Sequence, residues 1–307
     1  MAAASRDSIS TDGLSVLQDY LAGDRSLTVI DGIPGVDIPN PSVGLQANAA
    51  YFDRPESAQG YFESCHRDEA FRDRWLAAGG SWDGKIVVDV GCGPGNVYAN
   101  LGGSPALLIG VDVSRGSLKM AQTIGYTPLL ADAQDLPLRS EFADIVVVNA
   151  TLHHCDDMVK ALQESARLVR PGGRLIIDHD PQLSAWNYKG LAMLVYKIRL
   201  RVYQLLLPNL HTQREERLNA LQTEIHHRPG DGVTTEMLRD TLNPMGFEVK
   251  IYPHNQRVGQ EALQGVMGDP PHWRYQLGQR LSGLDPNSPE AALSLLCVAE
   301  KQEKGTA

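Results

Sequence analysis

The chain of 307 residues has no surplus of positive charge: 28 Lys and Arg stand against 37 Asp and Glu, a net charge of -9. Sequence-independent binding of nucleic acid relies on excess cations that displace phosphate counterions, so no nucleic-acid partner is expected. There are four cysteines, Cys65, Cys92, Cys155 and Cys297, and no CxxC pair. That spacing speaks against a disulfide framework or a cysteine zinc clip and fits reduced thiols in a cytoplasm. The start, "MAAASRDSISTDG", carries no apolar run behind a basic cluster, so no secretory signal is expected. No long uninterrupted apolar run occurs either. The nearest, "LAMLVYKIRLRVYQLLL" at 191–207, is broken by Lys197, Arg199 and Arg201 and reads as an amphipathic helix, not a membrane span. Internal repeats and low-complexity segments are absent. What is present is 42% hydrophobic residues, enough for one large core or two small ones.

From residue 85 short β-branched runs alternate with helical stretches: "KIVVDV", a glycine turn, "ALLIGVDV", "SRGSLKMAQTIG", "TPLLA", "ADIVVVNA", "DDMVKALQESARLVR" and "PGGRLIIDHD". Buried strands of this length separated by helices pair in parallel through right-handed crossovers, which gives an α/β, doubly wound sheet. Residues 1–80 are expected to form an irregular leader to about residue 50, with a short helix near 14–21, and then a helical segment ending at Gly79-Gly80. The core is expected over 81–307. Its strand and helix alternation pauses at 184–230, where a helical pattern follows a strand end and predicts a cap over the site. Trp186, Tyr188, Met193 and Tyr196 in that stretch suit either an apolar acceptor or a core.

"VVDVGCGPGN" places Gly91, Gly93 and Gly95 between a buried strand and a helix, where backbone approaches a ligand closely. The dinucleotide fingerprint needs a third glycine at position 96, and that residue is Asn96, so a nicotinamide cofactor is disfavoured. Asp89 precedes the turn and suits an ammonium group. Asp112 ends the next strand, 17 residues beyond Gly95, where a carboxylate can hold both hydroxyls of a ribose. Asp132 ends the third strand, placed for an exocyclic amine, with the Ala133 amide beside it for a ring nitrogen. Amine, ribose and adenine together describe the ligand.

The series "DVGCGPG", "GVDVS", "ADAQDLPL", "FADIVVVNATLHH" and "ARLVRPGGRLIIDH", in that order over roughly 85–180, resembles the class I S-adenosylmethionine-dependent methyltransferases of the small-molecule, quinone and natural-product group. The resemblance implies a seven-stranded Rossmann-like sheet with an antiparallel final strand and S-adenosyl-L-methionine as cofactor, released as S-adenosyl-L-homocysteine. It assigns Asp89, Gly91, Gly93 and Gly95 to the methionine part, Asp112 and Val113 to the ribose, Asp132 and Ala133 to the adenine, and Asn149 to the region below the sulfonium. Tyr51 and Tyr61 fall in a segment that closes over the cofactor in such proteins.

Methyl transfer to a hydroxyl or ammonium requires that a proton be removed, and histidine titrates in the right range. His153, in the nonapeptide "NATLHHCDD", and His179, after "LIID", stand at strand ends and are the expected acid or base, with Asp178 and Asp180 flanking His179. The nonapeptide is not read as a metal site, because adjacent side chains on a helix diverge by about 100°, so His153 and His154 do not converge on one ion. Cys155, Asp156 and Asp157 are expected to turn away with the next helix. His226 and His227 read as a solvated loop. "GDPPHWRY" at 268–275 is only superficially like the motif of nucleic-acid amine methyltransferases.

The expected activity is methylation of an O, N or C nucleophile on a small, partly apolar acceptor. Its alternative is a non-methylating protein that keeps the cofactor pocket for structure, regulation or a rearrangement. The expected partner is that small-molecule acceptor, and the sequence is compatible with a homodimer.

Overall fold

The computed structural model describes residues 8–195, 197–198 and 230–303. Nine strands form one mixed sheet in the order β1-β2-β5-β4-β3-β6-β7-β9-β8. The central five are β3 (Ile86–Val90), β4 (Leu107–Asp112), β5 (Thr127–Leu130), β6 (Ala143–Asn149) and β7 (Val169–Asp178), all parallel to their neighbours among these five. Their inner residues, Val87, Val88, Ile109, Val146, Val147 and Ile176, are fully buried, because helices cover both faces and neither face is free for polar side chains. β9 (Ser294–Lys301) lies between β7 and β8 (Phe247–His254), antiparallel to both. This is the expected seven-stranded sheet with an antiparallel final strand.

Two strands were not expected. β1 (Thr28–Ile30) and β2 (Ile33–Gly35) form a hairpin whose second strand joins the edge at β5. With the helices Ser8–Gln18 and Val43–Phe52, they replace the irregular leader predicted for this region. The Gly, Pro and Asp content there marks tight connections between short elements, and three-residue strands are too short to show a period. The helical segment expected to run up to Gly79-Gly80 consists of two helices, Pro55–Ser64 and Glu69–Gly79. The second starts where Asp68 accepts the amide of Phe71 and stops at Gly80, which has φ of 70°.

Strand order reverses direction at β3: β4 and β5 lie on one side, β6 and β7 on the other. Chain crossovers diverge there and leave a crevice beyond the strand C-termini, the usual ligand position in an open α/β sheet. Most of the expected cap, residues 196 and 199–229, lies outside the described residues, and Tyr196, His226 and His227 lie there with it.

Candidate active site

A cavity of about 610 Å³ occupies this crevice. Gly91, Gly93, Asp112, Val113, Asp132, Ala133 and Asn149 line it, so seven of the nine residues expected at a cofactor share one space. His153 lines the same space.

Each of the three glycines has its own reason. Gly91 has φ of 73°, and a Cβ there would meet Thr151 Cγ2 at 2.3 Å. Gly93, with φ of 52°, has open space where a Cβ would stand and presents bare backbone to the cavity. Gly95 turns away from the cavity: a Cβ would strike Ile124 Cδ1 at 2.6 Å and Tyr126 Cε2 at 2.9 Å. Its role in the turn is therefore helix packing.

Asp112 ends β4 with its carboxylate already oriented, Oδ2 accepting the Gly93 amide at 2.8 Å and Oδ1 the Ser114 amide at 2.8 Å. Burial raises its pKa, and the amides of Ser114, Gly93 and Val113 pull it back down. Asp132 accepts the Gln134 amide at 2.9 Å and its side-chain Nε2 at 3.1 Å. Gln134 Oε1 in turn accepts the Asp157 amide at 2.8 Å, tying the end of β5 to the start of the helix Met158–Leu168. Asp89 is placed otherwise than expected. It is fully buried beneath the turn and outside the lining, with Oδ2 accepting the Tyr126 hydroxyl at 2.7 Å. Burial pushes its pKa up to about 7, against the opposing pull of the Tyr126 hydrogen bond.

The histidines sit on the other half. "LHH" forms a single 3-10 turn, Leu152–His154, and the helix proper begins only at Met158, capped by Asp157, which accepts the Lys160 amide at 3.0 Å. Cys155 and Asp156, expected to turn away, therefore line the cavity. The rings of His153 and His154 lie 4.0 Å apart. His153 Nδ1 is 2.8 Å from Asp180 Oδ1, and the same oxygen accepts the His153 amide at 3.0 Å. Burial raises the pKa of Asp180 to about 7.

His179 is not among the lining residues. It holds φ of 63°, and its ring packs on His66 at 4.6 Å, Phe71 at 5.3 Å and His254 at 6.0 Å. The expected flanking pair is divided: Asp180 serves His153, while Asp178 Oδ2 lies 3.2 Å from His179 Nδ1. Asp178 also accepts Arg74 Nε at 3.0 Å and contacts His254 Nε2 at 2.7 Å. His254 Nδ1 accepts the Gln256 amide, which fixes the ring proton on Nε2, facing Asp178. Burial opposes ionisation of Asp178, but His179, His254 and Arg74 outweigh it and hold its pKa well below the usual carboxylate range.

The N-terminal segment closes the remaining side with Leu45, Asn48, Tyr51, Phe52, Tyr61 and His66, of which sequence reasoning had singled out only the two tyrosines. Asn96, the residue that spoiled the dinucleotide fingerprint, is what anchors it. Its Nδ2 donates to the carbonyls of Cys65 at 2.8 Å, Tyr61 at 3.2 Å and Phe62 at 3.3 Å. Asp53 adds a second tie through Oδ1, accepting the Gly116 amide at 2.9 Å and the Ser114 hydroxyl at 3.0 Å. The Tyr61 hydroxyl lies 2.9 Å from His66 Nε2, and burial lowers the His66 pKa to about 3 and raises that of Tyr61, so both are neutral.

An S-adenosyl cofactor fits these residues. Asn48 Oδ1 and Asn149 Oδ1 are buried in the lining without hydrogen-bond partners among the described residues. Among the described residues the lining holds three carboxylates, Asp112, Asp132 and Asp156, and one guanidinium, Arg54, an excess of negative charge suited to a sulfonium and an ammonium.

The strand order, the glycine turn at the point of reversal and the carboxylates on the next two strand ends define a class I S-adenosylmethionine-dependent methyltransferase domain. Residues 88–177 match the family model described as "Methyltransferase domain". Among curated relatives, the tRNA (carboxymethyluridine(34)-5-O)-methyltransferase of Arabidopsis thaliana is 39% identical over 97 residues, 31% of this chain and 24% of that protein. The malonyl-[acyl-carrier protein] O-methyltransferase of Yersinia pestis is 30% identical over 143 residues, 46% and 53% of the two. The ubiquinone biosynthesis O-methyltransferase of Thiobacillus denitrificans is 32% identical over 120 residues, 36% and 51%. The chain thus spans about half or less of the length of these relatives. Among solved structures, phosphoethanolamine N-methyltransferase 2 of Haemonchus contortus aligns with TM-score 0.53 at 12% identity, covering 88% of this chain and 62% of that one. The [4+2]-cyclase SpnF aligns with TM-score 0.50 at 15% identity, covering 87% and 98%.

Proposed function

We propose that this chain transfers a methyl group from S-adenosylmethionine to an oxygen, nitrogen or carbon nucleophile of a small, partly apolar acceptor. The observation that carries the reading is one cavity shared by the cofactor carboxylates Asp112 and Asp132 and by the His153–Asp180 pair. Two of the relatives named above are O-methyltransferases of a carrier-bound malonyl group and of ubiquinone biosynthesis, which supports a small acceptor. When bound, the cofactor supplies a methyl group already activated on a sulfonium.

The chain supplies position and proton management. Asp112 holds the ribose hydroxyls, Asp132 and the Ala133 amide hold the adenine, and bare backbone at Gly93 admits the methionine part. Asp180 fixes the His153 ring through Nδ1 and leaves Nε2 as the basic nitrogen of that tautomer. A proton taken from an acceptor hydroxyl puts positive charge on the ring, and the adjoining Asp180 offsets it. His179, one layer behind His66, serves to place His66 and Tyr61 at the wall and does not touch the acceptor.

The fold alone leaves a rearrangement open, since SpnF, a [4+2]-cyclase, shares it. Incubation with methyl-labelled S-adenosylmethionine and a metabolite extract separates the readings. Labelled small molecule together with S-adenosylhomocysteine supports methyl transfer; tight cofactor binding with neither product refutes it.

A further inference from the structure

We propose that the face built from residues 188–195 and 197–198 and the helix Trp273–Leu281 docks on an anionic lipid surface, with its helices lying in the plane of the interface. Leu191, Leu194, Val195 and Ile198 follow an i, i+3, i+4, i+7 spacing on one stripe, and each is about half exposed, while Ala192 between them is buried. An amphipathic helix of a globular protein turns that stripe inward; here the apolar side faces out. The second helix lies alongside. Tyr188 fills the space that a Cβ at Gly278 would occupy, 2.6 Å away, and the Lys189 amide donates to Ser282 Oγ at 3.0 Å. It adds Trp273, the most exposed of these at 61%, with Arg274 over its ring, and Tyr275 and Leu277, both exposed.

Charge selects the occupant. The chain holds 37 acidic residues, yet none falls at 181–195, 197–198 or 270–284, which carry the exposed cations Lys189, Lys197, Arg274 and Arg280. A second copy seated on this face by a twofold axis would oppose cation to cation. An anionic bilayer meets the cations with phosphates and the stripe with acyl chains, and Trp and Arg suit the headgroup boundary. The net charge of -9 repels the rest of the molecule from such a surface and so orients it on this face. The helices do not span: no described helix is long and apolar enough to cross a membrane. The proposal is independent of methyl transfer, although a lipid-dissolved acceptor would gain a short path to the protein.

The test is co-sedimentation of the full chain with vesicles of phosphatidylglycerol and phosphatidylcholine, against pure phosphatidylcholine. Binding to the anionic vesicles is expected, weakened by salt, with a blue shift of tryptophan emission that shrinks in Trp273→Phe, since the buried Trp75 and Trp82 do not report on that face. The double variant Leu194→Glu, Ile198→Glu should lose at least about tenfold in partitioning while keeping its circular dichroism and its S-adenosylhomocysteine affinity. Absence of wild-type binding to anionic vesicles overturns the proposal. So does equal binding by the double variant. A dimer in light scattering that this variant dissociates, without vesicle binding by wild type, assigns the face to a second copy instead.

Discussion

The two halves of the cavity are assembled differently. On the β4 and β5 side, each carboxylate is set by its own neighbours: Asp112 by Ser114, two residues on, and by the glycine turn; Asp132 by Gln134. On the β6 and β7 side the partners come from afar. His153 is held by Asp180, 27 residues on, and Asp178 by Arg74 and His254, 104 and 76 residues away. A locally wired half can keep its geometry when distant contacts fail, whereas the histidine half depends on the whole fold.

The largest break should come from Arg74→Met. It leaves Asp178 buried with one strong cation removed, and the loss of one partner of a buried pair costs about 3–5 kcal/mol. Urea unfolding should show that loss. The next variant tests the chemistry of the same half: His153→Ala should lower turnover of the natural acceptor by about 10²–10⁴-fold with cofactor affinity retained, and Asp180→Asn should follow it in direction with a smaller loss. Steady-state rates beside calorimetric binding check both. Third, the turn itself divides. Gly91→Ala meets Thr151 and a positive φ and should lower stability by about 1–3 kcal/mol, while Gly93→Ala should cost affinity for S-adenosylhomocysteine more than stability.

The smallest effect concerns pH. The folded state keeps the Asp89 proton up to about 7, whereas an unfolded chain loses it near 3.8. Between those values the native state binds the extra proton, so this group lowers stability as pH rises from about 4 to about 7, and its effect levels off above. Asp89→Asn should flatten that decline in melting temperature measured against pH.

The same division explains what was legible in the sequence. Runs such as "KIVVDV" announce strands buried on both faces, and Asp112, Asp132 and the glycines lie at fixed offsets from strand ends, so local order revealed them. Asp180 as the partner of His153, and Arg74 as the partner of Asp178, are set by strand register and helix packing, which no offset encodes. The N-terminal wall was hidden for a related reason. Asn96 was noted as a departure from a motif, yet its function is to hold three carbonyls more than 30 residues upstream. The hairpin of three-residue strands was too short for any period to be seen.

Calorimetric titration of S-adenosylhomocysteine into wild type, Asp112→Ala and His153→Ala tests the central claim most directly. The account predicts one-to-one binding by wild type, a loss on the order of a hundredfold in Asp112→Ala, from charge-assisted hydrogen bonds worth about 1.5–3 kcal/mol each, and near-wild-type affinity in His153→Ala. Equal affinity of Asp112→Ala and wild type, or no binding by a folded wild type, would contradict it.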